Sequence, residues 1–82
     1  MVKIKVRIDG MMCGMCEAHI NDTIRRNFNV RKVSSSHKKG VTEIISENDI
    51  PAAELRKAIE ETGYKFISSE TSPFEKKHLF GH

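Results

Sequence analysis

Val2, Ile4, Val6 and Ile8 alternate with Lys3, Lys5, Arg7 and Asp9 at the head of the chain, and no other stretch limits the fold as tightly. A strict period of two belongs to a strand with one buried apolar face and one wet basic face, so a layer must cover the apolar side. Asp9-Gly10 then opens a loop, and a helix is expected from near Met15 or Cys16, with Glu17 in its first turn where a carboxylate suits the helix dipole. Ile20, Ile24 and Phe28, backed by Ala18, form its inward stripe, and Asn21, Asp22, Arg25 and Arg26 its outer face. Val30 to His37 reads as a weaker strand, His37 to Gly40 as a turn, and Val41 to Ser46 as the returning strand, with the pattern leaving open whether Ile44 or Ile45 points inward. Asn48-Asp49-Ile50-Pro51 signals a second helix whose inward face is Ala52, Leu55, Ile59 and Thr62, ended by Gly63. Tyr64, Phe66 and Ile67 make the last strand, Ser68 to Pro73 a polar break, and the remainder a short charged tail. The order strand, helix, strand, strand, helix, strand predicts an α+β ferredoxin-like βαββαβ sandwich, a four-stranded antiparallel sheet with both helices on one face. Residues 1–70 would form this domain and residues 71–82 the tail.

Both cysteines of the chain fall in the loop after the first strand, in Gly10-Met11-Met12-Cys13-Gly14-Met15-Cys16, with three of the four methionines. A disulfide between residues so close would restrict the unfolded chain little, so a working dithiol in a reducing compartment is the better explanation. Thiolates are soft ligands that select Cu(I), Hg(II), Cd(II) or Zn(II) over Mg(II) and Ca(II). Two sulfurs satisfy an ion content with linear coordination, such as Cu(I), whereas Zn(II) prefers four ligands. Gly14 and Gly10 are expected to let the backbone turn. Cys16, at a helix N-terminus, should have its anion favoured, and Cys13 should be the more exposed and mobile sulfur. An isolated CxxC also fits half a zinc site, a thioredoxin-type redox pair or chance. No second CxxC or His-x3-His completes a zinc site, and the chain is short for a thioredoxin-like fold.

Eighty-two residues close one modest core. Fourteen Lys and Arg against 11 Asp and Glu give a mild positive excess that suits an acidic protein partner better than a nucleic acid. One Tyr and no Trp leave little for base stacking. Met1 to Lys5 has no continuous apolar run, so neither a signal peptide nor a membrane span is expected, and the protein is placed in the cytoplasm without direct membrane insertion.

With these residues in view, residues 2 to 69 resemble the heavy-metal-associated domain of copper chaperones, mercury-binding proteins and metal-transporting P-type ATPases. Its Gly-Met-x-Cys-x-x-Cys signature is met by Gly10, Met11, Cys13 and Cys16. The resemblance implies that Cys13 and Cys16 bind the metal and that Met11 is buried and holds the loop. Gly63-Tyr64 matches a pair that lies close to the metal loop, with Tyr as in the bacterial soluble copper chaperones. Two departures stand out: Met12 occupies a position usually Thr, Ser or His, and Phe28-Asn29-Val30 replaces Pro-Gly-Val. Zinc- and cadmium-selective relatives often carry an acidic residue before the first cysteine, and Met12 is not acidic, which leans towards copper.

Several residues carry a plainer reading beside a sharper one. Thioether ligation by Met11, Met12 or Met15 is outweighed by packing for Met11 and by exposed or docking surface for the other two. His19, one turn after Cys16, is read as a half-buried or surface histidine rather than a ligand. His78 and His82 would make an auxiliary site only if the tail were helical, which Gly81 disfavours. Tyr64 is a core-edge aromatic, a lid over the sulfurs, or both. Lys3, Lys5, Arg7, Arg25, Arg26, Arg31 and Lys32 are solvated charges, of which Arg25 and Arg26 best suit steering towards an acidic partner.

The expected function is therefore a non-enzymatic, cytosolic Cu(I) chaperone that passes its ion by ligand exchange to a metal-transporting P-type ATPase or a metal-responsive regulator. It is expected to be a monomer, with a metal-bridged dimer as the alternative. Hg(II), Zn(II) and Cd(II) are the alternative ions, a carrier domain of a transport system the alternative setting, and a dithiol redox protein the rival of a different class.

Overall fold

A computed structural model of the chain describes residues 1–74. Its elements are β1 (Val2–Asp9), α1 (Gly14–Asn27), β2 (Lys32–Ser36), β3 (Val41–Ser46), α2 (Ala52–Glu61) and β4 (Lys65–Pro73). The sheet order is β2-β3-β1-β4, all neighbours antiparallel. The alternating strand is thus central, and Ile4, Val6 and Ile8 form the floor of the core. Ile20 and Ile24 of α1, Leu55 and Ile59 of α2, and Ile44 of β3 close over it.

The register settles what the pattern left open: Ile44 pairs with Ile4 and is buried, while Ile45 faces outward beside Lys3. Thr42 and Ser46 share the inner face with Ile44. Ala18 and Ala52, expected inside, are exposed, and Thr23 and Ala58 are buried in place of such small apolar positions. Thr23 escapes a pattern search because its hydroxyl bonds back to the His19 carbonyl at 2.9 Å, which leaves its methyl free to pack.

The largest departure is at the C-terminal side. Ser68 to Pro73 is not a break: β4 continues through it and pairs with β1 as far as Val2↔Pro73, so the sheet passes residue 70. Phe74 then donates its N–H to the Met1 carbonyl at 2.9 Å. Serines and threonines suffice here because β4 is an edge strand stabilised mostly by its backbone ladder with β1. A bulge at Ile67 shifts the register between Arg7↔Ser68 and Ile8↔Phe66, which turns Phe66 into the core and leaves Ile67 54% exposed. The second helix begins where the sequence places it, but without a side-chain cap. Asp49 instead accepts from the Ile50 N–H at 2.9 Å and from the Thr71 hydroxyl at 2.8 Å, which fastens α2's approach to β4.

Candidate metal centre

The site lies at the C-terminal end of β1. Gly10 has a φ of 100°, a value L side chains rarely adopt, and a Cβ there would sit 3.5 Å from Tyr64 Cδ1. The chain thereby turns off the sheet, and Met11, 5% exposed, plugs the loop into the core. Gly14 does not share this role: it is the first residue of α1, without a positive φ, and nothing crowds its Cα.

Cys13 is the N-cap of α1, and its carbonyl accepts the Glu17 N–H at 3.2 Å. Cys16 is then the third helical residue, one further on than a helix beginning at Met15 would place it. The spacing reproduces that of a capping box, in which the side chain three residues into the helix reaches back to the loop amides. Both cysteines are free thiols, Cys13 exposed and Cys16 half-buried against the core edge, with their Sγ atoms 3.9 Å apart. This is far beyond a disulfide bond of about 2.05 Å. With metal–sulfur bonds of about 2.3 Å, a 3.9 Å gap subtends roughly 115° at a shared ion, whereas a linear pair needs about 4.6 Å. The dithiol is therefore spaced for a bent chelate and must open by about 0.7 Å for a linear one. Cys13, outside the helix proper, is the sulfur with room to move.

Cys16 is acidified to about 7 from the ordinary thiol value of 9.0. The Tyr64 hydroxyl is the largest cause, followed by the Met12 amide; the Cys13 amide and thiol add to it, and partial desolvation opposes. Tyr64 is raised reciprocally, because donation to Cys16 holds its proton in place. The loop amides give the expected direction, but a phenol 48 residues away in the chain supplies more than either of them. Of the two readings the sequence allowed for Tyr64, its ring takes the core-edge place, and its hydroxyl lowers the Cys16 thiol. It also stacks edge-on with His19, centroids 5.9 Å apart and planes at 74°.

Met12 and Met15 are 78% and 84% exposed, as expected of surface rather than core. His19 is exposed and turned to Tyr64, and among the described residues no three His, Cys, Asp or Glu side chains cluster as a metal site would require. His78 and His82 lie outside the described residues. Arg25 and Arg26 occupy the last turn of α1, about 14 Å along the helix from Cys16 at 1.5 Å per residue. Arg25 lies 3.7 Å from Asp22 there. A cavity of about 750 Å³ lies at the opposite pole, lined by Phe28, Val30, Glu47 and Ile50 among others and by no site residue. Binding at the dithiol is thus a matter of donor atoms rather than of an enclosing pocket. The sequence did not single out the contact of Glu17 with His37, since it joins residues 20 apart in the chain.

The sequence matches the heavy-metal-associated domain profile over residues 5–65. It is 32% identical over 65 residues to a mercuric reductase of Lysinibacillus sphaericus, a match covering 79% of this chain and 12% of the enzyme. The chain therefore spans about an eighth of the curated relative it matches, and the likeness concerns that portion alone. Among solved structures, the CopZ metallochaperone superposes with a TM-score of 0.69 at 18% identity, covering 79% of this chain and 98% of that one. The N-terminal domain of ZntA in its Zn(II) form gives 0.71 at 21%, covering 80% and 89%. Oxidized MerP from Ralstonia metallidurans gives 0.67 at 19%, covering 89% and 100%. At these identities the superpositions establish the fold. No helix among the described residues is long and apolar enough to cross a membrane.

Proposed function

The chain belongs to the heavy-metal-associated domain family, and from that premise we propose that it is a carrier of one soft ion, Cu(I), held between Cys13 and Cys16. The observation that carries the reading is a reduced pair of thiols 3.9 Å apart at a helix N-terminus, one acidified to about 7, with no further ligand cluster among the described residues. A small set of soft donors suits an ion that tolerates two or three ligands.

Transfer proceeds by ligand exchange. A partner thiolate bonds to the ion and gives a three-coordinate bridge; the bond to Cys13 then breaks, the partner's second thiolate bonds in its place, and the bond to Cys16 breaks last. No electron changes hands. Cys13 leaves first because it is exposed and precedes the helix, whereas Cys16 lies within α1, half-buried and packed against the core edge. The partner is a metal-transporting P-type ATPase or a metal-responsive regulator presenting a similar dithiol, and the carrier works in the cytoplasm as a monomer. A second reading, a Hg(II) carrier, is favoured by the 32% identity to part of a mercuric reductase. The bent spacing of the sulfurs also keeps Zn(II) and Cd(II) among the competitors.

Native mass spectrometry of the reduced protein with Cu(I), Zn(II) and Hg(II) in competition tests the reading, with Cys13→Ser and Cys16→Ser alongside. One Cu(I) per chain, lost in both variants while the far-ultraviolet circular dichroism is kept, is expected. Full affinity in either variant would refute the dithiol site, and preferential loading of Hg(II) would shift the assignment to the second ion. Repeating the titration without residues 75–82 tests the tail histidines; the cut belongs after Phe74, since an earlier one at Ser72 would remove part of β4.

A further inference from the structure

The start of α1 is poorly anchored by apolar contacts. From Gly14 to His19 no residue is buried, and only Cys16 and Glu17 are even half-covered. The helix is nonetheless held to the sheet there by polar rungs. One Glu17 carboxylate oxygen accepts the His37 backbone N–H at 2.8 Å and lies 2.7 Å from His37 Nδ1. One turn on, Asn21 Oδ1 accepts the Ser35 hydroxyl at 2.7 Å, and Ser35 in turn meets Thr42 at 2.7 Å. The match is geometric: four helical residues advance about 6 Å, close to the roughly 6.6 Å that two residues span along a strand, so Asn21 falls opposite Ser35 in β2 and Glu17 opposite His37, the first residue of the turn beyond it.

The upper rung differs from the lower one in what it fixes. Glu17 follows Cys16 directly, and its own N–H closes the first helical turn on the Cys13 carbonyl. Its backbone therefore joins the two cysteines while its side chain fastens that turn to the β2–β3 hairpin. We propose that Glu17, acting through His37, is a positioning residue for the dithiol, one that keeps the turn bearing Cys16 seated so that Cys13 alone moves during metal exchange. This rests on the reading of Cys13 and Cys16 as the metal ligands.

Glu17→Gln and Glu17→Ala both remove the charge beside Cys16, but only Gln keeps an oxygen that accepts the His37 N–H. Any difference between them reports the rung rather than the charge. Two readouts at one fixed pH apply: amide hydrogen exchange of Glu17 and Ala18 in the reduced, metal-free protein, and the rate at which Cu(I) passes from the loaded protein to a chelator. In Glu17→Ala, exchange at these amides is expected to quicken by about fivefold to tenfold with the sheet amides unchanged, since a local opening is released. Cu(I) release is expected to quicken with it, and Glu17→Gln to stay within about twofold of the parent. Asn21→Ala, which cuts the lower rung, is expected to leave both readouts near the parent. Equal behaviour of Glu17→Ala and Glu17→Gln overturns the proposal, as does a uniform loss of protection shared with Asn21→Ala, which would mark a merely structural contact. If Glu17→Ala does not fold, His37→Ala removes the ring contact alone and is expected to fall between parent and full loss; parental values there overturn the proposal. If the parent fails to bind Cu(I), the ligand reading fails by itself, and the exchange data still decide whether Glu17 seats the turn.

Discussion

Replacing Tyr64 with Phe removes one hydroxyl and keeps the ring that packs against Gly10 and His19. Cys16 stands at about 7 instead of 9.0, with that hydroxyl as the largest cause, so its loss should raise the thiol by about one unit and leave the loop amides to hold the rest. At pH 7 the thiolate would fall from about half of the molecules to about a tenth. A rate at one pH hides much of this change. Nucleophilicity rises with pKa at a Brønsted slope of about 0.4–0.5, so each remaining thiolate reacts about threefold faster and the net loss at pH 7 is only about twofold. The midpoint of the pH–rate profile is free of that compensation. Iodoacetamide labelling followed by peptide mass spectrometry, which separates Cys13 from Cys16, should place the Cys16 midpoint near 7 in the parent and about one unit higher in Tyr64→Phe. An unmoved midpoint would refute the assignment of the hydroxyl as the main acidifying group. A comparable shift at Cys13 would show that the substitution had rearranged the loop.

Gly10→Ala forces an L residue into a φ of 100° and should cost about 1–3 kcal/mol, read from urea unfolding. Ile44→Ala, at the centre of the core, should cost about 2–5 kcal/mol, a large fraction of what a domain of this size has. Glu17 is held below the ordinary 4.5, first by the His37 N–H and then by its ring. Its contribution to stability is therefore full above 4.5 and fades as pH falls through its lower folded value. The gap in melting temperature between the parent and Glu17→Gln should close as the pH is taken down through this range, and a gap that persists in acid would contradict it.

The sequence was most informative where one physical rule dominated. Alternation placed β1 without error because every second residue has to face the core, and four-residue spacing found Ile20 and Ile24 for the same reason. Ile44 and Ile45 are adjacent and chemically alike, so only the partner strand decides between them. Ser68 to Pro73 lacks the apolar signal because an edge strand can be held by its backbone ladder, which composition does not reveal. Spacing and chemistry single out the two cysteines, and the fold sets their Sγ atoms 3.9 Å apart. Of the two glycines expected to turn the backbone only Gly10 does so with a positive φ, since a glycine between two cysteines looks the same on paper whether it begins a helix or bends a loop. The Tyr64 hydroxyl and the Glu17–His37 contact reach the site across 48 and 20 residues of chain, and only the folded sheet brings them there.

The junction of Phe74 with Met1 has a consequence for how such a unit can be used. β1 runs from that junction to the metal loop, about 26 Å away at 3.3 Å per residue. Entry and exit of the described chain therefore share one pole and the sulfurs occupy the other. A domain wired in this way behaves as a bead with its thread passing through the back. Joined in series or set beside a larger body, copies of it would all turn their thiols outward, and polypeptide added at either end would approach the ion only by folding back along the full length of the sheet.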